Sequence, residues 1–248
     1  MPDDKTIITA AVLVIGDEIL SGRTKDKNIG TIAGHLTDIG IELREVRVVP
    51  DDEGEIIAAV NALRAKYTYV FSTGGIGPTH DDITADCMAK AFGVAIDVDP
   101  RAVEIMKAAY QYRGLELTET RLRMARIPAG ASLIANSIST APGFMIGNVI
   151  VMAGVPSIME SMLKDATQHL RTGAKVAAET IALSYPESEI AVLFAAHQRA
   201  FPDVVMGSYP AFSDGKYSTE LVLRSSLPER LKAAAETLRG KLKGAGLL

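Results

Sequence analysis

The chain has no tryptophan and a single cysteine, Cys87, in 248 residues. One thiol excludes an intrachain disulfide and a cysteine-based zinc cluster, which predicts a reducing, cytoplasmic setting. Basic residues are not in excess: 26 Lys and Arg stand against 30 Asp and Glu, a formal net charge of −4. That balance argues against nucleic acid as a partner, which needs a basic footprint, but leaves a small phosphorylated ligand open. No apolar run has the length that crosses a bilayer, so no membrane partner is expected. The opening Met1-Pro2-Asp3-Asp4-Lys5 has no basic n-region of a signal peptide. Low-complexity tracts and internal repeats are missing too. Gly77 is followed by Pro78-Thr79 rather than Gly-Lys-Ser/Thr, which excludes a Walker sequence. No Gly-x-Gly-x-x-Gly opens the first strand–helix turn, and metalloprotease and nucleophile-elbow patterns are absent.

What is present is apolar content with period. Hydrophobic residues make up 48% of the chain, enough for a sizeable core. Ile7–Ile15 is a nearly continuous apolar run, as in a strand covered on both faces. Ile29, Ile32, Ala33, Leu36 and Ile39 recur at helical spacing, and Gly40 closes that helix. Ile41–Val49 predicts a second strand. Ile56, Val60 and Leu63 mark a helix, and Tyr67–Thr73 a third strand. Strand, helix, strand, helix, strand is the order of parallel α/β units. Helices follow at Thr84–Phe92, after Pro100 and after Pro156, with a strand at Asn148–Met152.

Beyond Arg171-Thr172-Gly173 the order changes. It runs strand (Val176–Leu183), helix (Glu187–Ala200), strand (Val204–Ser208), strand (Ser218–Arg224) and helix (Pro228–Leu242), with Gly207 to Gly215 as the connecting turn. The expectation is an α/β domain over residues 1–171 and a small α+β domain over 172–248.

In open parallel sheets, ligands sit beyond the carboxyl ends of the strands. After the first strand come Gly16-Asp17-Glu18 and Ser21-Gly22; after the second, Pro50-Asp51-Asp52. After the third comes Gly74-Gly75-Ile76-Gly77-Pro78-Thr79-His80-Asp81-Asp82-Ile83-Thr84. Glycines let the backbone approach a ligand, and N–H groups near a helix N-terminus make an anion site. Asp17, Glu18, Asp51, Asp81 and Asp82 would repel a phosphate if left bare. Mg²⁺ or another divalent cation on one or two of them would resolve the conflict, because hard cations bridge carboxylates to phosphates. Plainer roles stand beside this. Asp82 or Thr84 is a candidate helix cap. His80 reads as a solvated loop histidine, and Cys87 as a small buried residue. Arg121, Arg123 and Arg126 are either a solvated face or phosphate contacts.

The blocks Gly16–Gly22, Asp26-Lys27-Asn28 and Gly74–Thr84 resemble the N-terminal half of the CinA family, within the wider molybdopterin-binding domains of molybdenum-cofactor biosynthesis. Ala125-Arg126-Ile127-Pro128, Asn136, Thr140-Ala141-Pro142-Gly143 and Gly154-Val155-Pro156 continue the match. Glu187-Ser188-Glu189-Ile190 and Gly207-Ser208-Tyr209-Pro210 resemble the small domain that follows in CinA-like chains. The resemblance implies a three-layer α/β fold, mostly parallel, holding molybdopterin or a nucleotide diphosphate, and a homodimer. Some members are metal-dependent pyrophosphatases of the ADP-ribose or FAD type. On that resemblance Asp51 and Asp82 would be catalytic, and Asp17, Asp51 and Asp82 would hold the metal. The ligand would lie against Gly16, Asp17, Glu18, Ser21, Gly22, Asn28, Gly74, Gly75, Gly77, Pro78, Thr79, Asp81 and Thr84. Across from them would stand Thr140, Pro142, Gly143, Gly154 and Pro156. Other members transfer groups in molybdenum-cofactor biosynthesis, and a non-catalytic binding module is the remaining reading. The family's C-terminal amidase domain has no counterpart before Leu248, so deamidation is not expected. Thr120, Met124, Ser139, Ala153 and Ile158 depart from the family pattern, and are expected on the far side of the pocket.

Overall fold

A computed structural model of the chain describes residues 7–248. Two compact units divide the chain: residues up to Thr37 with Ile41–Gly173, and Asp38–Gly40 with Ala174–Leu248.

The first unit opens with β1 (Thr9–Ile15), α1 (Asp17–Leu20), α2 (Asn28–Asp38), β2 (Glu42–Val49), α3 (Glu53–Lys66) and β3 (Tyr69–Thr73). It continues with α4 (Thr84–Phe92), β4 (Ile96–Val98), α5 (Pro100–Tyr112), α6 (Glu119–Leu122), β5 (Arg126–Pro128) and β6 (Ser132–Ile134). β7 (Gly143–Ile146), β8 (Val149–Met152) and α7 (Pro156–Ala166) complete it. The main sheet has the order β2-β1-β3-β8-β7-β6. β2, β1, β3 and β8 are parallel; β7 and β6 add an antiparallel margin. This is the predicted α/β class with a mostly parallel central sheet.

The reasons lie in the side chains. Ala10, Ala11, Val12 and Leu13 are wholly buried, so both faces of β1 are covered, as an inner parallel strand requires. Ala11, Leu13 and Ile15 share one core with Ile56, Val60 and Leu63 of α3 and Cys87 and Met88 of α4. Burial there pushes the Cys87 thiol up to about 11, so it stays protonated and inert. β2 is one edge strand: its burial alternates, and its exposed side carries Glu42 paired with Arg44. α3 starts where Asp52 accepts from the Glu55 N–H at 3.0 Å, and α5 where Asp99 precedes Pro100. α4 ends at Gly93, in the left-handed region at φ 66°. β4 to β7 were not read from the sequence: strands of three or four residues show no period.

The second unit holds β9 (Ala177–Leu183), α8 (Glu187–Ala200), β10 (Val205–Ser213), β11 (Lys216–Ser225) and α9 (Pro228–Gly244). Its antiparallel sheet has the order β10-β11-β9. β9 and β11 alternate buried and exposed residues, so one face carries the core. There Ile181, Leu183, Leu221 and Leu223 pack with Ile190 of α8 and Leu231, Ala235 and Leu238 of α9. The predicted turn from Gly207 to Gly215 is corrected. β10 runs on to Ser213, and only Asp214 and Gly215 turn, both at positive φ (52° and 75°). Residues 209–213 are exposed, so no buried alternate betrays them as strand. On the outer edge of β10, the Met206 N–H donates to Gln198 Oε1 at 3.0 Å. Alternate residues share that direction, so Pro210, which has no N–H to give, faces the same way.

Every buried polar side chain of this unit is bonded. His197 Nε2 donates to the Ala234 carbonyl (2.9 Å), and Nδ1 accepts from Lys241 Nζ (3.3 Å). Thr219 Oγ1 donates to the Tyr185 carbonyl at 2.8 Å, and Ser225 Oγ to that of Asp203 at 3.3 Å. Burial holds His197 below the ordinary imidazole range, matching the neutral form those partners require.

Candidate functional site

Three loops at the carboxyl ends of β1, β3 and β8 meet. The loop after β3 is the most constrained. Gly74 sits at φ 102°, and a Cβ there would stand 2.1 Å from the Ile15 carbonyl oxygen. At Gly75 (φ 65°) a Cβ would meet Thr84 Oγ1 at 2.2 Å. Only glycine satisfies both, because a side chain adds strain at positive φ and a clash, with backbone at Gly74 and with the buried Thr84 side chain at Gly75. Gly74 N–H donates to the Met152 carbonyl at 3.1 Å, which locks the loop to the end of β8.

The expected capping roles are corrected. The N-cap position of α4 is Ile83, and no side chain caps the helix. Asp82 turns back into its own loop instead, where Oδ2 accepts from the Thr79 N–H at 2.8 Å. Thr84 is buried, and its hydroxyl donates to the Gly74 carbonyl at 3.0 Å. Its role is to hold the glycine turn. The Thr79 hydroxyl lies within 2.6 Å of the Asp82 carboxylate and 2.5 Å of Asp81. That bond holds Asp81 below the usual carboxylate range. His80 is solvated, its side chain 99% exposed.

Asp51, after β2, accepts from the Asp17 N–H at 3.0 Å. Burial raises its pKa, and the neighbouring carboxylates Asp17, Glu18 and Asp81 add to the rise. Among the described residues, no group of three or more His, Cys, Asp or Glu stands close enough to hold a metal ion. Asp17, Asp51 and Asp82 therefore flank the glycine loop without converging on one point.

The loops enclose a cleft of about 530 Å³, within the usual range of small-molecule sites. Of the predicted residues, Glu18, Gly74, Gly75, Gly77, Pro78, Asp82, Gly154 and Pro156 line it. Asn28 lines an adjoining cavity, and Pro142 a water-sized one behind Asp82. Gly16, Asp17, Ser21, Gly22, Asp51, Thr79, Asp81, Thr84, Thr140 and Gly143 lie outside the walls of these three cavities. Gly143 is there for packing: a Cβ would be 2.5 Å from the Val151 carbonyl oxygen across the β7–β8 pair. Thr140 holds a positive φ of 74° in a loop organised by buried Asn136. The Asn136 amide accepts from Ile138 N–H (2.9 Å) and donates to the Ala141 carbonyl (3.1 Å).

Four of the five departures from the family pattern, Met124, Ser139, Ala153 and Ile158, form part of the cleft wall. With Ala141, Val155 and Met162 they make one side of it largely apolar. The three arginines separate. Arg126 is committed to Asp86 by two bonds of 2.7 Å, and Arg121 lies over the Tyr110 ring. Arg123 lines the small cavity beside Asp82, and its buried Nε has no acceptor. Sequence spacing treats the three alike, and only their partners distinguish them.

Among the described residues no helix is long and apolar enough to cross a membrane. Residues 175–247 match the family described as the middle domain of FAD synthase. A protein of Aeropyrum pernix is 34% identical over 238 residues, which cover 91% of this chain and 89% of its relative. One of Caldivirga maquilingensis is 38% identical over 65% of each chain. The crystal structure of the protein CinA from Thermoplasma acidophilum is 38% identical, with a TM-score of 0.60. That match covers 65% of this chain and 96% of the other. Residues 11–172 match the family described as probable molybdopterin binding domain; the chain belongs to that family, as a CinA-like member.

Proposed function

We propose that the chain binds a nucleotide or pterin phosphate in the cleft between the loops after β1, β3 and β8. The observation that carries this reading is the glycine turn at Gly74-Gly75. It brings bare backbone to the cleft ahead of the α4 helix, whose N-terminus carries no side-chain cap and whose dipole favours an anion. Arg123 supplies the missing positive charge on the Asp82 side. The apolar wall of Met124, Ala153, Val155 and Ile158 suits a flat ring system. Calorimetric titration with ADP-ribose, FAD and a pterin phosphate tests it. We expect micromolar binding of at least one and about tenfold or greater weakening in Arg123→Met. Absence of binding by all three overturns the reading.

A second reading, divalent-metal-dependent hydrolysis of a nucleotide diphosphate, is favoured by the crowding of Asp51 with Asp17, Glu18 and Asp81. Since three carboxylates do not converge, the cation would be held by one or two of Asp17, Asp51 and Asp82 together with ligand phosphate oxygens. It would polarise the phosphoryl group as water adds across the anhydride and AMP leaves. AMP release from ADP-ribose and FAD with Mg²⁺ or Co²⁺, lost with chelator and in Asp82→Asn, would support it. Binding without release leaves a non-catalytic module; a molybdenum-cofactor transferase would act on the pterin alone. A cytoplasmic homodimer, with residues 1–171 as the binding domain and 172–248 as a second domain, belongs to the same reading. Size-exclusion chromatography with light scattering checks the dimer.

A further inference from the structure

We propose that the open face of the second unit's sheet is where two copies of the chain pair, face to face with their strands antiparallel. The inference rests on the homodimer named above and gives it a surface and a register.

α8 and α9 pack on one side of the sheet, where Leu221 and Leu223 carry the core. The other side faces solvent. An antiparallel sheet with one wet face ordinarily keeps that face polar. This one does not. It presents Val205, 68% exposed, Tyr209, 48% exposed, and the half-buried Val222. β9 adds Ala178 and Ala182, both exposed. Strand register sets these residues in three rows across the sheet. Val205, Arg224 and Ala178 form the first row, and Gly207, Val222 and Thr180 the middle one. Tyr209, Glu220 and Ala182 form the third. A continuous apolar patch of this kind marks an interaction surface.

The two charges select the occupant. Arg224 and Glu220 are exposed, and neither has a hydrogen-bond or ion-pair partner for its side chain among the described residues. Four residues apart on one strand, they stand ~13 Å from each other, too far to pair. A second copy brings them together. A two-fold axis lying in the interface along the middle row reverses the strand direction. Arg224 then faces the partner subunit's Glu220, twice by symmetry. Val205 faces the partner subunit's Tyr209, and Val222 meets its own counterpart. Gly207 leaves room at the centre, where the Tyr209 ring already lies 3.3 Å from the place of a Cβ. An axis along the strands would instead set Arg224 on Arg224 and Glu220 on Glu220, so charge selects the antiparallel register. Facing sheets stand ~10 Å apart, a gap that side chains of this size fill. The three-stranded face measures roughly 15 Å by 25 Å, less than the ~800 Å² per partner of a standard interface. The dimer is therefore weak, with a Kd on the order of 10–100 μM. The β10 edge takes no part in it.

Sedimentation velocity of the full chain over a concentration series tests the pairing. Val222→Asp puts two carboxylates at the two-fold centre and is expected to weaken the dimer about tenfold or more. Arg224→Glu and Glu220→Arg each set like charges against one another, and each should weaken it by about tenfold. Mixing those two single variants is expected to restore a dimer near wild-type strength, because each then offers the charge that the other lacks. Such rescue is beyond a misfolded chain. Weakening without rescue overturns the register. A dimer unchanged in all three variants overturns this face and leaves the homodimer standing on another. A wild type that stays monomeric at the highest concentration overturns both, while the ligand reading stands.

Discussion

The two units differ in how fully their buried polar groups are bonded: the first bonds Thr84 and Asn136 but leaves others open, and the second bonds them all. In the second, His197, Thr219 and Ser225 are each buried and each bonded. In the first, Asn28, Ser72 and Thr73 are as deeply buried, yet Asn28 Oδ1, Ser72 Oγ and Thr73 Oγ1 have no partner. Fully satisfied networks fix one arrangement and contribute to stability. Unsatisfied atoms at strand ends, beside a turn that only glycine can make, are a cost that ligand binding can offset. The contrast assigns stability to the second unit's polar interior, and recognition to the unbonded groups at the end of β3 and the start of α2 in the first.

The sharpest break comes at the glycine turn. Gly74→Ala places a methyl 2.1 Å from backbone oxygen at φ 102°. We expect a loss of ~3 kcal/mol or more in chemical denaturation, confined to the first unit's transition. Next is His197→Leu, which deletes the buried bonds to the Ala234 carbonyl and Lys241 Nζ. A loss of ~2 kcal/mol is expected in the second unit alone. The pair Thr219→Val and Ser72→Ala then tests the comparison directly. The first deletes a satisfied hydroxyl and should cost ~1 kcal/mol; the second deletes an unsatisfied one and should be neutral or stabilising. Equal losses from both would erase the distinction.

Two smaller effects follow from charge. Because burial lowers the His197 pKa from 6.5, its contribution is complete above pH 6.5 and declines as pH falls below that value. Melting curves of wild type and His197→Leu should therefore converge on the acid side. Asp51 is shifted the other way: its raised pKa favours the fold at acid pH, and that advantage is lost as pH rises through the folded value. Asp51→Asn keeps an oxygen for the Asp17 N–H and removes the repulsion, so a small rise in Tm at neutral pH is expected. A fall would show that the carboxylate's bond to the Asp17 N–H outweighs the repulsion.

The α/β order was legible because β1, β3 and the helices between them carry unbroken apolar periods. The Gly74–Thr84 loop was legible because its glycines and carboxylates stand together in sequence. Partner choice was not. Nothing local tells Arg123, with no acceptor at Nε, from Arg126, which pairs with Asp86. Nor does spacing reveal that Thr73, inside an apolar strand, ends beside Asn28, 45 positions away in the numbering. The apolar wall was hidden for the same reason: Met124 comes from a short 3-10 turn, Ser139 and Ala153 from two loops, and Ile158 from a helix start.

Pro210 carries a consequence for behaviour in concentrated solution. β10 is an edge strand, and Tyr209 and Phe212 leave it with exposed aromatic surface, 48% and 63% accessible. Such an edge ordinarily templates the addition of a foreign strand, the first step toward fibrils. Here the outward ladder is interrupted at both ends of its central stretch: Gln198 already occupies the Met206 N–H, and Pro210 offers none. The hairpin can thus present its rings to water without recruiting neighbours, and Pro210→Thr is the change that would turn a quiet margin into a nucleus for aggregation.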